Sequence, residues 1–373
     1  MAAAPHTLYA LPHSLYSGKV RSYLRYKGIA FEERVSTLRE FQRFIIPRTG
    51  IKFIPVVQTP DDVVVQDSTE TMDLLDARHP ARAVMPEAPV QKLVALLFEL
   101  YADEWLLLPA MHYRWSFWHE RAHIDDVLEH FGMLLSPKAP RWLRRKAGAQ
   151  FCKPFHGALP VLGITPRTIP ALEAWYEEFL DRMNAHFSAH RYLLGDRASV
   201  GDFGLMGPLY AHLGRDPYPK ALMQRRAPKV YAWVQRMNEV EPAIGNWLPD
   251  DAIPDTLLPV LQRMFAEHWP VLADTVAQVA RWLDEHPDAR RLPRFVGRHR
   301  FVLGGVEEER SVFPYPQWML QRVLDHYASL PANARAAADA LLAKVGGLEA
   351  MQLQIPRRVA RAHHRLVPEG MTP

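Results

Sequence analysis

The chain has 373 residues, 48% of them hydrophobic and 23% charged, with a formal net charge of +4. That balance belongs to an ordinary globular chain with room for two or three domains, and no apolar run reaches the length of a membrane span. One cysteine, Cys152, excludes an internal disulfide and a metal site built on a cysteine pair, and favours a reducing, cytoplasmic setting.

The start, Met1 to Pro5, has no basic segment ahead of an apolar core, so no signal peptide is expected. Residues 6–11 read as a short buried strand, and Pro12-His13-Ser14 as a turn. From Tyr16 to Lys27, Val20, Tyr23 and Leu24 recur at helical spacing, with Gly28 as the stop. Phe31 to Val35 reads as a second strand and 37–46 as a short helix. Phe53-Ile54-Pro55-Val56-Val57 is an apolar strand interrupted by proline. A central strand cannot use a residue without an N–H, so Pro55 belongs at the strand start, where a cis bond would turn a backbone edge toward a ligand. After a Pro-Asp-Asp turn at 60–62, Val63–Val65 forms a further strand. Asp67 and Ser68 open a helix running to Arg78. An acid and a hydroxyl at a helix N-terminus, beside free N–H groups, can hold both ends of an amino-acid zwitterion. Strand, helix, strand, helix, strand, strand, helix within 1–80 is a thioredoxin-like α/β layout without its Cys-x-x-Cys pair.

The proline-rich stretch 79–89 reads as a linker, and 90–248 as an all-α domain with helices at 91–108, 168–190, 199–213 and 228–238. Ser199-Val200-Gly201-Asp202 resembles a capping box in which each side chain serves the other's N–H. Residues 249–373 form a mainly helical C-terminal extension. Leu257–His286 is divided by Pro259 and Pro270, a Gly-Gly turn at 304–305 marks a small β-hairpin, and helices follow at 317–330 and 333–345. The basic runs Arg141 to Lys146 and Arg357 to Arg365 read as solvated faces, with no nucleic-acid fold behind them.

In this order and spacing the chain resembles the glutathione transferase superfamily over roughly 6–248. Residues 14–29 resemble the first helix of such proteins, and Ile54-Pro55-Val56-Val57 the cis-proline loop. Gln66-Asp67-Ser68 resembles the acid–hydroxyl pair for the γ-glutamyl group, and Tyr192-Leu193-Leu194-Gly195-Asp196 with Ser199 and Asp202 the capping segment of the second domain. The resemblance implies glutathione as cosubstrate and a small hydrophobic electrophile as its partner. It implies neither nucleic acid nor membrane, and a homodimer is possible. Ser14 falls at the thiol-activating position of the serine-type classes, with Tyr16 and Ser17 as rival donors. Tyr16 stands where beta-class relatives carry a reactive cysteine, which argues against mixed-disulfide chemistry. A thiol with an ordinary pKa near ~8.5 is mostly protonated at neutral pH, and a hydroxyl at a helix N-terminus favours its anion. Ile54 is implied to pair with the cysteinyl backbone, Gln66, Asp67 and Ser68 with the γ-glutamyl end, and Lys52 or Arg48 with the glycyl carboxylate. Trp105, Met111, Tyr113 and Trp115 are implied to line the electrophile pocket. The plain alternatives are that Ser14 is only a helix N-cap and the aromatics are ordinary core. A non-catalytic glutathione-binding or protein-interaction module on the same fold is the alternative.

His119-Glu120-Arg121-Ala122-His123 matches a zinc-protease pattern if it lies on a helix. With 17 histidines and no third ligand at a recognisable spacing, it reads as coincidence. His186 and His190, four apart, read as surface or capping residues, and Cys152 as an inert buried thiol.

Overall fold

The structure, a computed structural model, describes residues 4–240 and 244–371. Met1 to Ala3, on which the absence of a leader was read, and 241–243 of the helical region lie outside the described residues. Near the N-terminus, four short apolar runs become strands: β1 (His6–Ala10), β2 (Phe31–Val35), β3 (Val56–Gln58) and β4 (Val64–Gln66). They form one sheet in the order β2-β1-β3-β4. β1 and β2 run parallel and therefore need a crossover, which the helix Leu15–Lys27 supplies; β3 pairs antiparallel with both β1 and β4. Ser14 caps that helix, and Gly28 ends it at φ 67°, a left-handed conformation that suits glycine. The single helix read at 37–46 is divided, because Pro47 has no N–H to give an α-helical ladder. A turn at Leu38–Glu40 passes into a π-helical turn at Phe41–Ile45 and a last turn at Ile46–Thr49. Ile54–Pro55 is cis and stands immediately before β3. The helix Ser68–Arg78 completes the thioredoxin-like arrangement.

The described chain packs as two compact units. One draws on Met1–Val84, Pro109–Leu159 and Phe203–Ile244, the other on Met85–Leu108, Pro160–Asp202 and Gly245–Pro373. In the first unit the helices Arg121–Phe131 and Arg141–Phe151 approach backbone to backbone. A Cβ at Gly148 would lie 1.9 Å from the Leu128 carbonyl oxygen, which only glycine avoids. The basic run on the second of these helices is paired rather than bare. Arg141 and Arg144 reach Glu129 at 2.9 and 2.7 Å, and Arg145 reaches Asp125.

The second unit is mainly helical, with long helices at Pro89–Glu104, Ile169–Ala189, Trp269–Glu285, Tyr315–Ala328 and Ala332–Lys344. Pro259 sits in a first helical turn, where a missing N–H costs nothing, whereas Pro270 follows a π-helical turn at Met264–His268 that joins the two segments. The hairpin at the Gly-Gly turn is longer than its apolar core suggested. β5 (Gly297–Leu303) pairs with β6 (Val306–Val312), with Gly304 and Gly305 at φ 55° and 79°. A second hairpin, β7 (Val359–Ala362) with β8 (Arg365–Pro368), lies in the basic tail.

In the Ser199–Asp202 segment the acid serves the Ser199 N–H, as one half of a capping box requires. The Asp202 carboxylate, fully buried, accepts from Ser199 N–H at 2.8 Å, the Ser199 hydroxyl at 2.9 Å and Leu193 N–H at 3.0 Å. The Asp202 N–H donates to the Ser199 carbonyl.

Candidate active site

Strand register decides which residues meet. Tyr9 of β1 stands opposite Val56 of β3, and Val56 stands opposite Gln66 of β4. The chain leaves β1 at Ala10, enters β3 just after Pro55 and leaves β4 at Gln66. The turn carrying Ser14, the cis-proline and the Asp67–Ser68 pair therefore sit at one end of the sheet. Lys19 of the first helix, fully buried, donates to Thr69 Oγ1 at 3.2 Å, tying that helix to the start of the Ser68–Arg78 helix.

Asp67 caps this second helix, its Oδ1 accepting from the N–H groups of Thr69 at 2.8 Å and Glu70 at 3.2 Å. Its φ of 104° is uncommon for a residue with a side chain, and strained backbone of this kind concentrates at functional sites. Gln66 and Ser68 are buried beside it. Ser14, half-buried, accepts from Ser17 N–H at 3.4 Å and retains a hydroxyl proton to donate. Ser17 is fully buried, and its Oγ accepts from Leu11 N–H at 3.5 Å. Tyr16 and Ile54 are half-buried, Lys52 exposed. Arg48 is occupied with Asp62, donating to its carboxylate at 3.1 Å and its carbonyl at 3.0 Å.

The turn before Ser14 is held by two arginines that sequence reading did not single out for it. Arg114, buried, donates to the His13 carbonyl at 2.8 Å and the Ala211 carbonyl at 2.9 Å, and pairs with buried Asp216 at 2.5 and 2.7 Å. Arg215 donates to the Pro12 carbonyl at 2.9 Å and, with its other nitrogen, to His130 Nε2 at 2.9 Å. Because that nitrogen accepts, His130 carries its proton on Nδ1, which faces Asp126 at 3.0 Å. The His13 ring is buried 4.6 Å from the Phe131 ring, and its Nδ1 has no partner. Burial, then the charge of Arg114, push this imidazole well below its usual value, so it is neutral at pH 7.

The four aromatic-region candidates separate. Met111 and Trp115 pack with Val127, Phe131 and Cys152, which places this apolar cluster against His13 through Phe131. Tyr113 is buried and stacks on Phe117 at 5.4 Å, which in turn stacks on half-exposed Tyr218 at 3.9 Å. Trp105 belongs to the second unit, fully buried, stacked on His268 at 5.0 Å and edge-on to Phe301 at 6.1 Å. Phe117 and Tyr218 had no signal beyond being aromatic, since their contact depends on residues 101 positions apart. Cys152 is buried, and burial pushes its thiol up.

The His-Glu-x-x-His pattern does not lie on one helix. His119 and Glu120 precede the helix Arg121–Phe131; His119 is exposed, while His123 is buried and bonded to the Arg114 carbonyl at 2.8 Å. Among the described residues, no group of three or more His, Cys, Asp or Glu is placed to hold a metal, and no helix is long and apolar enough to cross a membrane.

Two family models match the chain: the glutathione S-transferase N-terminal domain over residues 8–83 and the glutathione S-transferase C-terminal domain over residues 167–241. No curated protein matches it. Solved structures with a similar course include a glutathione S-transferase from Rhodospirillum rubrum F11, 14% identical, covering 67% of this chain and 96% of its own at a TM-score of 0.41. A beta-etherase from Sphingobium sp. strain SYK-6 is 17% identical, covering 64% and 96% at 0.42. A glutathione S-transferase from Methylobacterium radiotolerans JCM 2831, in complex with glutathione sulfonate, is 18% identical, covering 66% and 100% at 0.39. The chain thus carries, in this order, a glutathione S-transferase N-terminal domain, which spans the cis-proline and the Asp67 cap, and a glutathione S-transferase C-terminal domain.

Proposed function

We propose that the protein binds glutathione at the end of the sheet and uses Ser14 to hold its sulfur as the thiolate for attack on a small hydrophobic electrophile. The observation that carries this reading is the register Tyr9–Val56–Gln66, which sets one helix N-terminus beside a second, with the cis-proline between. Asp67 and Ser68 take the ammonium and carboxylate of the γ-glutamyl group, with Gln66 beside them. Ile54 pairs with the cysteinyl backbone next to Pro55, and exposed Lys52 meets the glycyl carboxylate.

Ser14 is preferred as donor over Ser17 because Ser17 is fully buried and bonded to the Leu11 amide. Tyr16, half-buried, is a second donor. The hydroxyl of Ser14 donates to the sulfur while the positive end of the first helix adds to the stabilisation of the anion. Neutral His13 contributes no charge of its own. The thiol proton passes to solvent, the bond formed joins sulfur to the electrophilic carbon, and the bond from that carbon to the leaving group breaks with its electron pair going to the leaving group. Met111, Trp115 and Tyr113 supply the apolar side. A cytoplasmic, reducing location suits a cosubstrate that must remain a thiol.

Conjugation of a chromogenic electrophile by wild type and Ser14→Ala is the test. Turnover that falls ~100-fold in the variant, with glutathione affinity kept, supports the proposal. Equal turnover by both proteins assigns the thiol to another donor. Glutathione binding without turnover of any electrophile in a broad panel would leave the chain a non-catalytic glutathione-binding module.

A further inference from the structure

Between His130 and Leu159 the chain carries six lysines and arginines and no aspartate or glutamate. In a chain with 45 basic and 41 acidic residues, this segment is set apart by its charge. The helices Arg121–Phe131 and Arg141–Phe151 fix how it is presented. Their backbones meet at two places. Gly148 lies against the Leu128 carbonyl, and a Cβ at Gly132 would lie 2.1 Å from the Arg144 carbonyl oxygen. A step forward along one helix is thus a step back along the other, so the pair is antiparallel and residues 133–142 form its closed end. Pro137 and Pro140 restrict the backbone there, and the Lys138 N–H donates to Ser136 Oγ at 3.2 Å. Two apolar side chains stand open at this end, Trp142 at 68% and Leu135 at 42% exposure. Tryptophan is seldom left so open. Cations surround them. Lys138 and Lys146 are exposed and, among the described residues, form no ion pair. Lys146 stands one helical turn after Trp142, on the same face. Arg141 and Arg144 share the single carboxylate of Glu129, which leaves that cluster net positive; Arg145 is taken up by Asp125.

We propose that the closed end of this helix pair docks on the surface of an anionic phospholipid membrane. Trp142 and Leu135 seat at headgroup level, and Lys138, Arg141 and Lys146 meet the lipid phosphates. The basic run alone reads as a solvated face; the open tryptophan and leucine beside it do not. Charge and chemistry select the occupant. A lysine near an anionic bilayer gains attraction from the surface potential, and the ring of tryptophan, apolar with one N–H, suits the boundary between headgroups and acyl chains. Basic residues next to tryptophan and leucine are the pattern of segments that lie on a membrane rather than cross it. A protein partner would have to supply a pocket for the ring, which a bilayer need not. Single-stranded nucleic acid stacks successive bases on several rings, and this end offers one. No helix among the described residues is long and apolar enough to span a bilayer, so the contact is peripheral.

The test is flotation of the full chain with vesicles of phosphatidylcholine alone and with vesicles holding about one-third phosphatidylserine, at low and at high salt. The chain should float with the anionic vesicles, less so at high salt, and stay behind with the uncharged ones. Trp142→Ala removes an exposed side chain, so its circular dichroism should match wild type while its affinity for the anionic vesicles falls on the order of tenfold. Lys138→Gln and Lys146→Gln should each weaken binding about fivefold. No flotation with anionic vesicles, equal flotation with both kinds, or a Trp142→Ala variant that binds as wild type does overturns the proposal. So does binding to a single-stranded oligonucleotide with none to vesicles, which assigns the surface to nucleic acid.

Discussion

Arg114→Met removes the residue that holds the turn before Ser14. The guanidinium makes four bonds within 2.9 Å, two to the Asp216 carboxylate and one each to the carbonyls of His13 and Ala211. Both partners of the ion pair are almost wholly buried, at 2% and 1% side-chain exposure. Truncating one member of such a pair leaves a buried charge uncompensated, at a cost of ~3–5 kcal/mol. Each carbonyl left without its donor adds on the order of 1 kcal/mol. Denaturant unfolding followed by circular dichroism should therefore show a loss of roughly 5 kcal/mol. Arg114→Met with Asp216→Asn removes the stranded charge and should recover about half of that loss, because the two carbonyls remain unserved. Glutathione affinity should fall in the single and the double variant alike, since both free the His13 backbone. A loss under ~1 kcal/mol in the single variant, or a double variant no more stable than the single, would refute the view that a buried ion pair fixes this turn.

Asp67→Ala should lose about 1 kcal/mol as the helix cap disappears, with further strain from φ 104°; Asp67→Asn should keep the cap and the fold but bind glutathione ~10-fold more weakly, as calorimetry would show. Gly148→Ala cannot be accommodated 1.9 Å from the Leu128 carbonyl, so the two helices must part, at ~1–3 kcal/mol of unfolding free energy. His186 is fully buried between Thr256 and the Tyr192 carbonyl, and burial, then the charge of His190, lower it from 6.5 to about 4. The unfolded chain thus takes up this proton before the folded one does, so the contribution is fully present above pH 6.5 and lost as pH falls toward about 4. The loss amounts to about 3 kcal/mol. Unfolding free energies measured across that window should fall less steeply in His186→Gln.

The first domain was legible because its signals are local. The helix Ser68–Arg78 and the strand Phe31–Val35 lie where they were read, and Gly28 ends the first helix in the left-handed conformation that its stop required. Pro55 stands at a strand entrance because it has no N–H for the ladder. The Gly304-Gly305 turn was visible for the same kind of reason, whereas β7–β8 was not. Its two turn residues, His363 and His364, have φ of 47° and 62°, a conformation usually given to Asn-Gly or Gly-Gly. At the candidate site, the end of the sheet follows from strand order alone. The clamp on the Ser14 turn does not, because Arg114 and Arg215 reach carbonyls about 100 and 200 positions earlier, and hydrophobic periodicity carries no record of such bonds. Trp105, Tyr113 and Trp115 share one stretch of sequence yet enter different clusters, because helical spacing gives a face and not the partner packed against it.

The central claim is that this chain holds glutathione as a thiolate through Ser14. The ultraviolet difference spectrum of bound glutathione near neutral pH tests it most directly, comparing wild type with Ser14→Ala. Wild type should show thiolate absorbance that saturates with glutathione, and Ser14→Ala should bind glutathione without it. No thiolate signal on wild type at saturating glutathione, or an equal signal from the variant, would contradict the account.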